Sequence, residues 1–127
     1  MMLAAAPNSG VIGRHVLHVT DLAASEIATV LTIATHLKET RTSDQQTLLR
    51  GKTLGMLFEK PSLRTRVSFE VGMTQLGGHA LFAGGHEFMV GSRETPEDAA
   101  RVLFRYVDAI LVRTHAHEPL QQAVRRK

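Results

Sequence analysis

The sequence predicts an α/β fold, a three-layer α/β/α arrangement around a parallel sheet, and three observations carry that prediction. Short apolar runs recur at residues 53–58, 80–83 and 108–112, each about the length of a buried strand. Stretches with apolar residues at i, i+3, i+4 and i+7 alternate with them, the period of an amphipathic helix. Glycine- and proline-bearing turns separate the two kinds of segment. Strands alternating with helices lie parallel, because right-handed crossovers lay the helices over the sheet faces.

The elements follow in order. After a flexible start through about Gly13, Thr20 or Asp21 can cap a helix whose stripe is Ile27, Val30, Leu31, Ala34 and Leu37, ending near 40–42. A polar stretch over 41–46 leads to Gly51 and the first strand, Thr53-Leu54-Gly55-Met56-Leu57-Phe58. A Pro61-Ser62 turn opens a helix that runs from Thr65 with Phe69, Gly72, Met73 and Leu76 at helical spacing, and Gly77-Gly78 stops it. Ala80-Leu81-Phe82-Ala83 reads as the second strand, and a loop over 84–94 leads to a further helix start. There Thr95 caps, Pro96 suits the first helical position, Asp98 completes a capping box, and Ala99, Val102, Leu103 and Tyr106 form the inward stripe. Asp108-Ala109-Ile110-Leu111-Val112 is the third strand, and a last helix is expected over 118–124. The expected order is α, β, α, β, α, β, α.

At 127 residues and 43% hydrophobic content the chain suits one domain with a real core and is short for two. The formal charge of +3 rests on Arg125, Arg126 and Lys127, so the rest of the chain is balanced. That balance, with only 5% aromatic residues, argues against nucleic acid as a partner. The absence of cysteine excludes disulfide frameworks, thiolate metal sites and cysteine nucleophiles. The N-terminus lacks a basic region and meets Pro7 before an apolar stretch develops, and no 18-residue apolar run occurs, so no membrane partner and a cytoplasmic location are expected.

The chemistry concentrates at Phe58-Glu59-Lys60-Pro61-Ser62-Leu63-Arg64-Thr65-Arg66, where a strand turns into an arginine-bearing helix. A helix N-terminus offers unpaired N–H groups and partial positive charge, and Ser62, Arg64, Thr65 and Arg66 add side-chain donors. A plainer reading makes this a capped surface helix, with Ser62 as the cap and Arg66 and Glu70 as an i, i+4 pair. Turn chemistry by itself leaves both open. Arg113, at the end of the third strand, tips the balance toward an anion site, because ligands of parallel sheets bind beyond the carboxyl ends of strands. Two strand-end arginines beside a helix N-terminus suit a doubly charged ligand.

Other patterns carry less. Gly51-Lys52-Thr53 is like the tail of a P-loop, but Gln46 stands where that loop needs glycine, and a strand follows rather than a helix. His115 and His117 have a spacing seen in metal sites, yet no carboxylate or third histidine stands in an obvious helical or strand relation to them, and a solvated loop is the better reading. Gly77-Gly78-His79 and Gly84-Gly85-His86 are turns flanking a strand.

The segment from Phe58 to Glu70 closely resembles the carbamoyl-phosphate-binding signature of the aspartate/ornithine carbamoyltransferases, a Ser-x-Arg-Thr-Arg turn after the first strand. Leu76-Gly77-Gly78-His79-Ala80, the run from Glu94 to Leu103 and the run from Tyr106 to Arg113 fall in that family's order and spacing. The resemblance covers roughly His15 to the last few residues, and Phe-Glu-Lys-Pro-Ser is similar to the ornithine branch rather than the aspartate branch.

The resemblance implies a transferase that moves the carbamoyl group of carbamoyl phosphate to the side-chain amine of ornithine, giving citrulline and phosphate in arginine biosynthesis. Ser62, Leu63, Arg64 and Thr65 would bind the phosphate, Leu63 through its backbone N–H only, with Arg113 bridging phosphate and carbamoyl oxygen. Thr65 and Arg113 would be the catalytic groups, stabilising the oxyanion as the amine attacks. No cofactor and no metal is implied, and the partners are carbamoyl phosphate, ornithine and two further copies in a homotrimer. In such a trimer the loop over 84–94 reaches a neighbour's site. Met89 stands where many ornithine enzymes carry a phosphate-contacting glutamine, and Arg93 can compensate. The resemblance further implies that residues 1–127 are a carbamoyl-phosphate-binding domain incomplete at its C-terminal end, the N-terminal half of a two-domain carbamoyltransferase without the amino-acid-binding domain. Aspartate or another amine as acceptor, or a non-catalytic phosphate-binding fragment, are the alternatives.

Overall fold

A computed structural model describes residues 13–39, 47–84 and 102–115. The chain divides into two compact units, Met1–Arg41 and Thr42–Lys127. No helix among the described residues is long and apolar enough to cross a membrane.

In the first unit a 3-10 turn, Val19–Asp21, precedes helix α1, Ala24–Glu39. Neither Thr20 nor Asp21 caps α1, contrary to expectation. The Asp21 carboxylate instead accepts the N–H groups of Leu17 and His18, both at 2.8 Å, which closes the 3-10 turn and holds its pKa below the ordinary value. Glu26 assumes the capping task by accepting the Ala23 N–H at 2.7 Å, and Arg14 pairs with it at 3.3 Å. Of the expected stripe, Ile27 and Leu37 are half-buried while Val30, Leu31 and Ala34 are exposed. Among the described residues of this unit α1 has no second helix or strand against which to bury a full apolar face.

The second unit holds a three-stranded sheet. Strand β1, Thr53–Phe58, lies between β2, His79–Gly84, and β3, Ala109–Arg113, with both pairings parallel. Helix α2, Leu63–Gln75, connects β1 to β2 and packs on β2. The parallel sheet is therefore as expected, β1 has the expected bounds, and β3 is shifted by one residue. Asp108 stands just outside β3 because its carboxylate is otherwise engaged: it accepts from Lys52 Nζ at 2.7 Å and from the Thr53 N–H at 2.8 Å. The Asp108 N–H also donates to the Thr53 carbonyl at 2.9 Å, so this residue clamps the entry of β1 to the entry of β3.

The core follows from the central position of β1. Leu54, Met56 and Phe58 point to one face and are buried, with Met56 fully enclosed, and Met73, Ala80, Phe82 and Leu111 pack against them. Leu57, on the opposite face, is buried too, so β1 is covered on both sides as its unbroken apolar run requires.

Glycine ends α2 as the sequence indicated. Gly77 has φ of 81°, a left-handed conformation that costs a side-chain-bearing residue energy. The Gly78 N–H donates to the Met73 carbonyl at 2.8 Å and the Gly77 N–H to the Thr74 carbonyl at 3.1 Å, the paired bonds of a Schellman motif. At Gly78 a Cβ would stand 2.6 Å from Met73 Cε and 3.1 Å from the Leu49 carbonyl oxygen, so the second glycine is required by close packing.

Two expected stripes differ from what is observed. Phe69 is exposed, whereas Gly72, Met73 and Leu76 are half-buried as expected. Val102 and Leu103 are helical, but among the described residues of the expected inward stripe only Leu103 is half-buried: Val102 is 52% exposed, and Tyr106 lies in the turn that follows and is 77% exposed, since the chain bends into β3 there rather than continuing the helix. The loop over 85–94 with Met89 and Arg93, the helix start at Thr95 to Ala99, His117 and the helix expected over 118–124 lie outside the described residues.

Candidate anion site

The site forms where β1 and β3 end side by side. Phe58 and Arg113 are register partners at the carboxyl edge of the sheet. The Glu59 N–H donates to the Arg113 carbonyl at 2.8 Å, extending the ladder one step beyond β1. From there the chain has only Glu59, Lys60 and Pro61 before Ser62, so the N-terminus of α2 opens above this same edge.

Ser62 occupies the N-cap position in extended backbone, φ −156° and ψ 94°, but its hydroxyl makes no capping bond. It donates instead to Thr65 Oγ1 at 2.9 Å. This departs from the plainer reading at its cap. A capping serine would satisfy an N–H of the first turn; here that task is left undone, and the first intrahelical bond is from the Arg66 N–H to the Ser62 carbonyl at 3.0 Å. The N–H groups of Leu63, Arg64 and Thr65 therefore remain available to an acceptor outside the helix. Because Thr65 Oγ1 accepts from Ser62, the Thr65 hydroxyl hydrogen is likewise free to be donated elsewhere. No acidic residue lies in the first turn of α2 to oppose the positive end of its dipole.

The two arginines of this turn do different things. Arg64 is exposed, and among the described residues its guanidinium has no ion-pair partner. Arg66 is engaged by the fold: its Nε donates to Glu70 Oε1 at 2.9 Å, and its guanidinium carbon sits 3.9 Å from the centroid of the Phe82 ring. Phe82 in turn meets Phe58 edge-on, with ring centroids 5.3 Å apart. The i, i+4 pair foreseen in the plainer reading thus exists, and it withdraws Arg66 from the list of donors.

Arg113 is half-buried, and its Nε is buried without a hydrogen-bond partner among the described residues. A buried, unsatisfied donor on a permanently charged group carries a free-energy cost that an anionic ligand relieves. Its neighbours are well fixed. Glu59 Oε2 accepts the Thr114 hydroxyl at 2.5 Å and the His115 N–H at 3.0 Å, and these two bonds hold the Glu59 carboxyl below its ordinary pKa. The sequence analysis did not single out Glu59 or Thr114. They are 55 positions apart, and no local spacing announces such a pair. Among the described residues no three His, Cys, Asp or Glu side chains come together as a metal ion would need.

The structure thus places Ser62, Leu63, Arg64, Thr65 and Arg113 along one edge of the sheet, with backbone donors, two hydroxyls and two arginines, of which Arg64 has no ion pair and Arg113 Nε no hydrogen bond among the described residues. That set matches a phosphate-bearing ligand with a further oxygen to be polarised.

Residues 14–127 match the family described as aspartate/ornithine carbamoyltransferase, carbamoyl-P binding domain. The ornithine carbamoyltransferase of Anoxybacillus flavithermus is 50% identical over 111 residues, covering 87% of this chain and 35% of the relative. Among solved structures, ornithine carbamoyltransferase from Pyrococcus furiosus superimposes with a TM-score of 0.82 at 45% identity, over 89% of this chain and 36% of that one. An N-acetyl-L-ornithine transcarbamylase is also similar, with a TM-score of 0.68 at 38% identity over 80% of this chain and 32% of that one. The chain spans 35% of the length of the A. flavithermus relative.

Proposed function

Since the chain belongs to the aspartate/ornithine carbamoyltransferase family, with residues 14–127 matching its carbamoyl-phosphate-binding domain, we propose that it supplies the carbamoyl-phosphate-binding part of an ornithine carbamoyltransferase. The observation that carries this reading is the buried Nε of Arg113, without a hydrogen-bond partner among the described residues, at the same sheet edge as the uncapped N-terminus of α2. Together they offer a fixed cationic donor to one end of the ligand and a ring of N–H groups to the other.

The residues divide the work as follows. The N–H groups of Leu63, Arg64 and Thr65 and the Arg64 guanidinium bind the phosphate, and the Ser62 hydroxyl joins them by turning its single hydrogen from Thr65 Oγ1 to the ligand. Arg113 bridges phosphate and carbamoyl oxygen, and the Thr65 hydroxyl donates to that oxygen. A neutral ornithine amine attacks the carbamoyl carbon, and the carbonyl π electrons move onto the oxygen that Arg113 and Thr65 stabilise. The tetrahedral intermediate then collapses, the C–O bond to phosphate breaks, and the amine releases its proton, leaving citrulline and phosphate. Positioning and preorganised donors suffice for such a step, and no covalent enzyme intermediate is needed.

The intact enzyme is proposed to be a cytoplasmic homotrimer of arginine biosynthesis, with residues 1–127 acting as donor-binding domain and the acceptor held by a second domain. A second reading concerns the acceptor. Similarity to an enzyme named for N-acetyl-L-ornithine favours a donor half that serves more than one amine. Citrulline formation against carbamoyl-aspartate formation by the intact protein separates ornithine from aspartate.

The test of the donor site is a titration of the 127-residue chain with carbamoyl phosphate. Saturable binding is expected, weakened about 10- to 150-fold in Arg64→Ala and in Arg113→Ala, the loss of one charge-assisted contact each. Unchanged affinity in Arg64→Ala rules the assignment out.

A further inference from the structure

We infer that Glu59 is a positioning residue of this site: it fixes the segment from Arg113 to His115 against the exit of β1 and so determines where the Arg113 guanidinium meets the ligand. The inference rests on the proposed carbamoyl-phosphate site.

Three hydrogen bonds from one residue converge on three consecutive ones. The Glu59 N–H donates to the Arg113 carbonyl at 2.8 Å, and Glu59 Oε2 accepts both the Thr114 hydroxyl and the His115 N–H. Glu59 is exposed, so water competes for these bonds and their contribution to stability is modest. Their effect is geometric. Among the described residues the Arg113 Nε has no hydrogen-bond partner, so where that side chain meets a ligand depends on how its backbone is held. Glu59 holds it. Glu59 also stands in the three-residue connection leading to Ser62, so one short loop sets the donors of α2 and, through the carboxylate, the arginine opposite them.

The carboxylate needs this arrangement for a second reason. A negative charge beside a phosphate site opposes binding unless it is otherwise engaged, and the bonds from Thr114 and His115 tie it to the segment that follows β3.

The experiment is a double-mutant cycle on carbamoyl phosphate affinity in the 127-residue chain, with Tm measured for each variant. Glu59→Ala is expected to weaken binding about tenfold, the effect of a misplaced rather than a missing charge. Glu59→Gln, whose amide oxygen can accept the same two bonds, recovers most of that loss. In an Arg113→Ala background Glu59→Ala costs nothing further, because the group it positions is gone. Wild-type affinity in Glu59→Ala overturns the inference, as does an equal loss in the Arg113→Ala background, which would mean a general structural role. If Glu59→Ala does not fold, Thr114→Val removes one of the three bonds and is expected to weaken binding several-fold with Arg113 present and not at all without it; additive losses there overturn the inference too. A wild-type chain that binds no carbamoyl phosphate defeats the site itself, an outcome distinct from normal binding with indifferent variants.

Discussion

The guanidinium of Arg66, on α2, lies 3.9 Å from the centroid of the Phe82 ring on β2, the strand that this helix packs against. Arg64, two residues earlier, is exposed and has no ion-pair partner among the described residues. Two arginines that look alike in sequence thus divide into one that holds α2 to β2 and one that is available to a ligand.

Arg66→Ala is accordingly expected to lower stability by about 1–2 kcal/mol, through loss of the ring contact and the Glu70 pair. Carbamoyl phosphate affinity stays within a few-fold of wild type. Arg64→Ala gives the converse, a near-normal Tm and a large loss of affinity. Thermal melts paired with ligand titrations distinguish the two, and a larger binding defect in Arg66→Ala than in Arg64→Ala contradicts the division.

Leu63 provides a test of the backbone donors. Its side chain is 77% exposed, so Leu63→Ala is expected to leave binding unchanged. Leu63→Pro removes its N–H at the first helical position, where proline is well tolerated, and Ser62 before it is already extended. The helix therefore survives while one phosphate contact is lost, weakening carbamoyl phosphate binding about tenfold or more. Equal affinity in the alanine and proline variants, with helix content by circular dichroism unchanged, removes the Leu63 N–H from the site.

The Schellman turn predicts different costs at adjacent glycines. Gly77→Ala forces a side chain into the left-handed region and costs about 1–2 kcal/mol. Gly78→Ala drives a methyl group against Met73 and Leu49 and costs about 1–3 kcal/mol by overpacking. A shorter side chain at 73 relieves the second but not the first, so Met73→Ala is expected to be partly compensatory only with Gly78→Ala. Chemical denaturation of the four variants measures this directly.

Acid should loosen the β1–β3 pair. Bonds from Thr114 and His115 depress the pKa of Glu59 below 4.5, and bonds from Lys52 and Thr53 depress that of Asp108 below 3.8. A carboxyl with a depressed folded-state pKa binds fewer protons folded than unfolded, so its contribution is complete above the ordinary value and fades as pH falls toward the folded one. Lys60 and His115, the charged neighbours of Glu59, act in the same direction. Tm is expected to decline as pH drops below about 4.5, and to decline less steeply in Glu59→Gln/Asp108→Asn. An identical acid slope in that double variant discounts both clamps.

Much of this molecule was legible in its sequence, because the relevant physics is local. An unbroken apolar run over Thr53–Phe58 can only be a strand covered on both faces, and it is the buried centre of the sheet. A glycine pair after an amphipathic stretch marks a left-handed helix stop, and Gly77 and Gly78 make one. That the arginine at the end of β3 and the Ser-Leu-Arg-Thr turn after β1 share one edge was foreseeable, because parallel strands bring their carboxyl ends together. Tertiary structure decided whatever depended on partners distant in sequence. It turned the Ser62 hydroxyl toward Thr65 and left the helix end open, laid Arg66 over Phe82, and replaced Asp21 by Glu26 at the start of α1. It also brought Glu59 to Thr114 and Lys52 to Asp108, pairs separated by 55 and 56 residues. Such contacts follow from strand order and register, and no residue period along the chain encodes them.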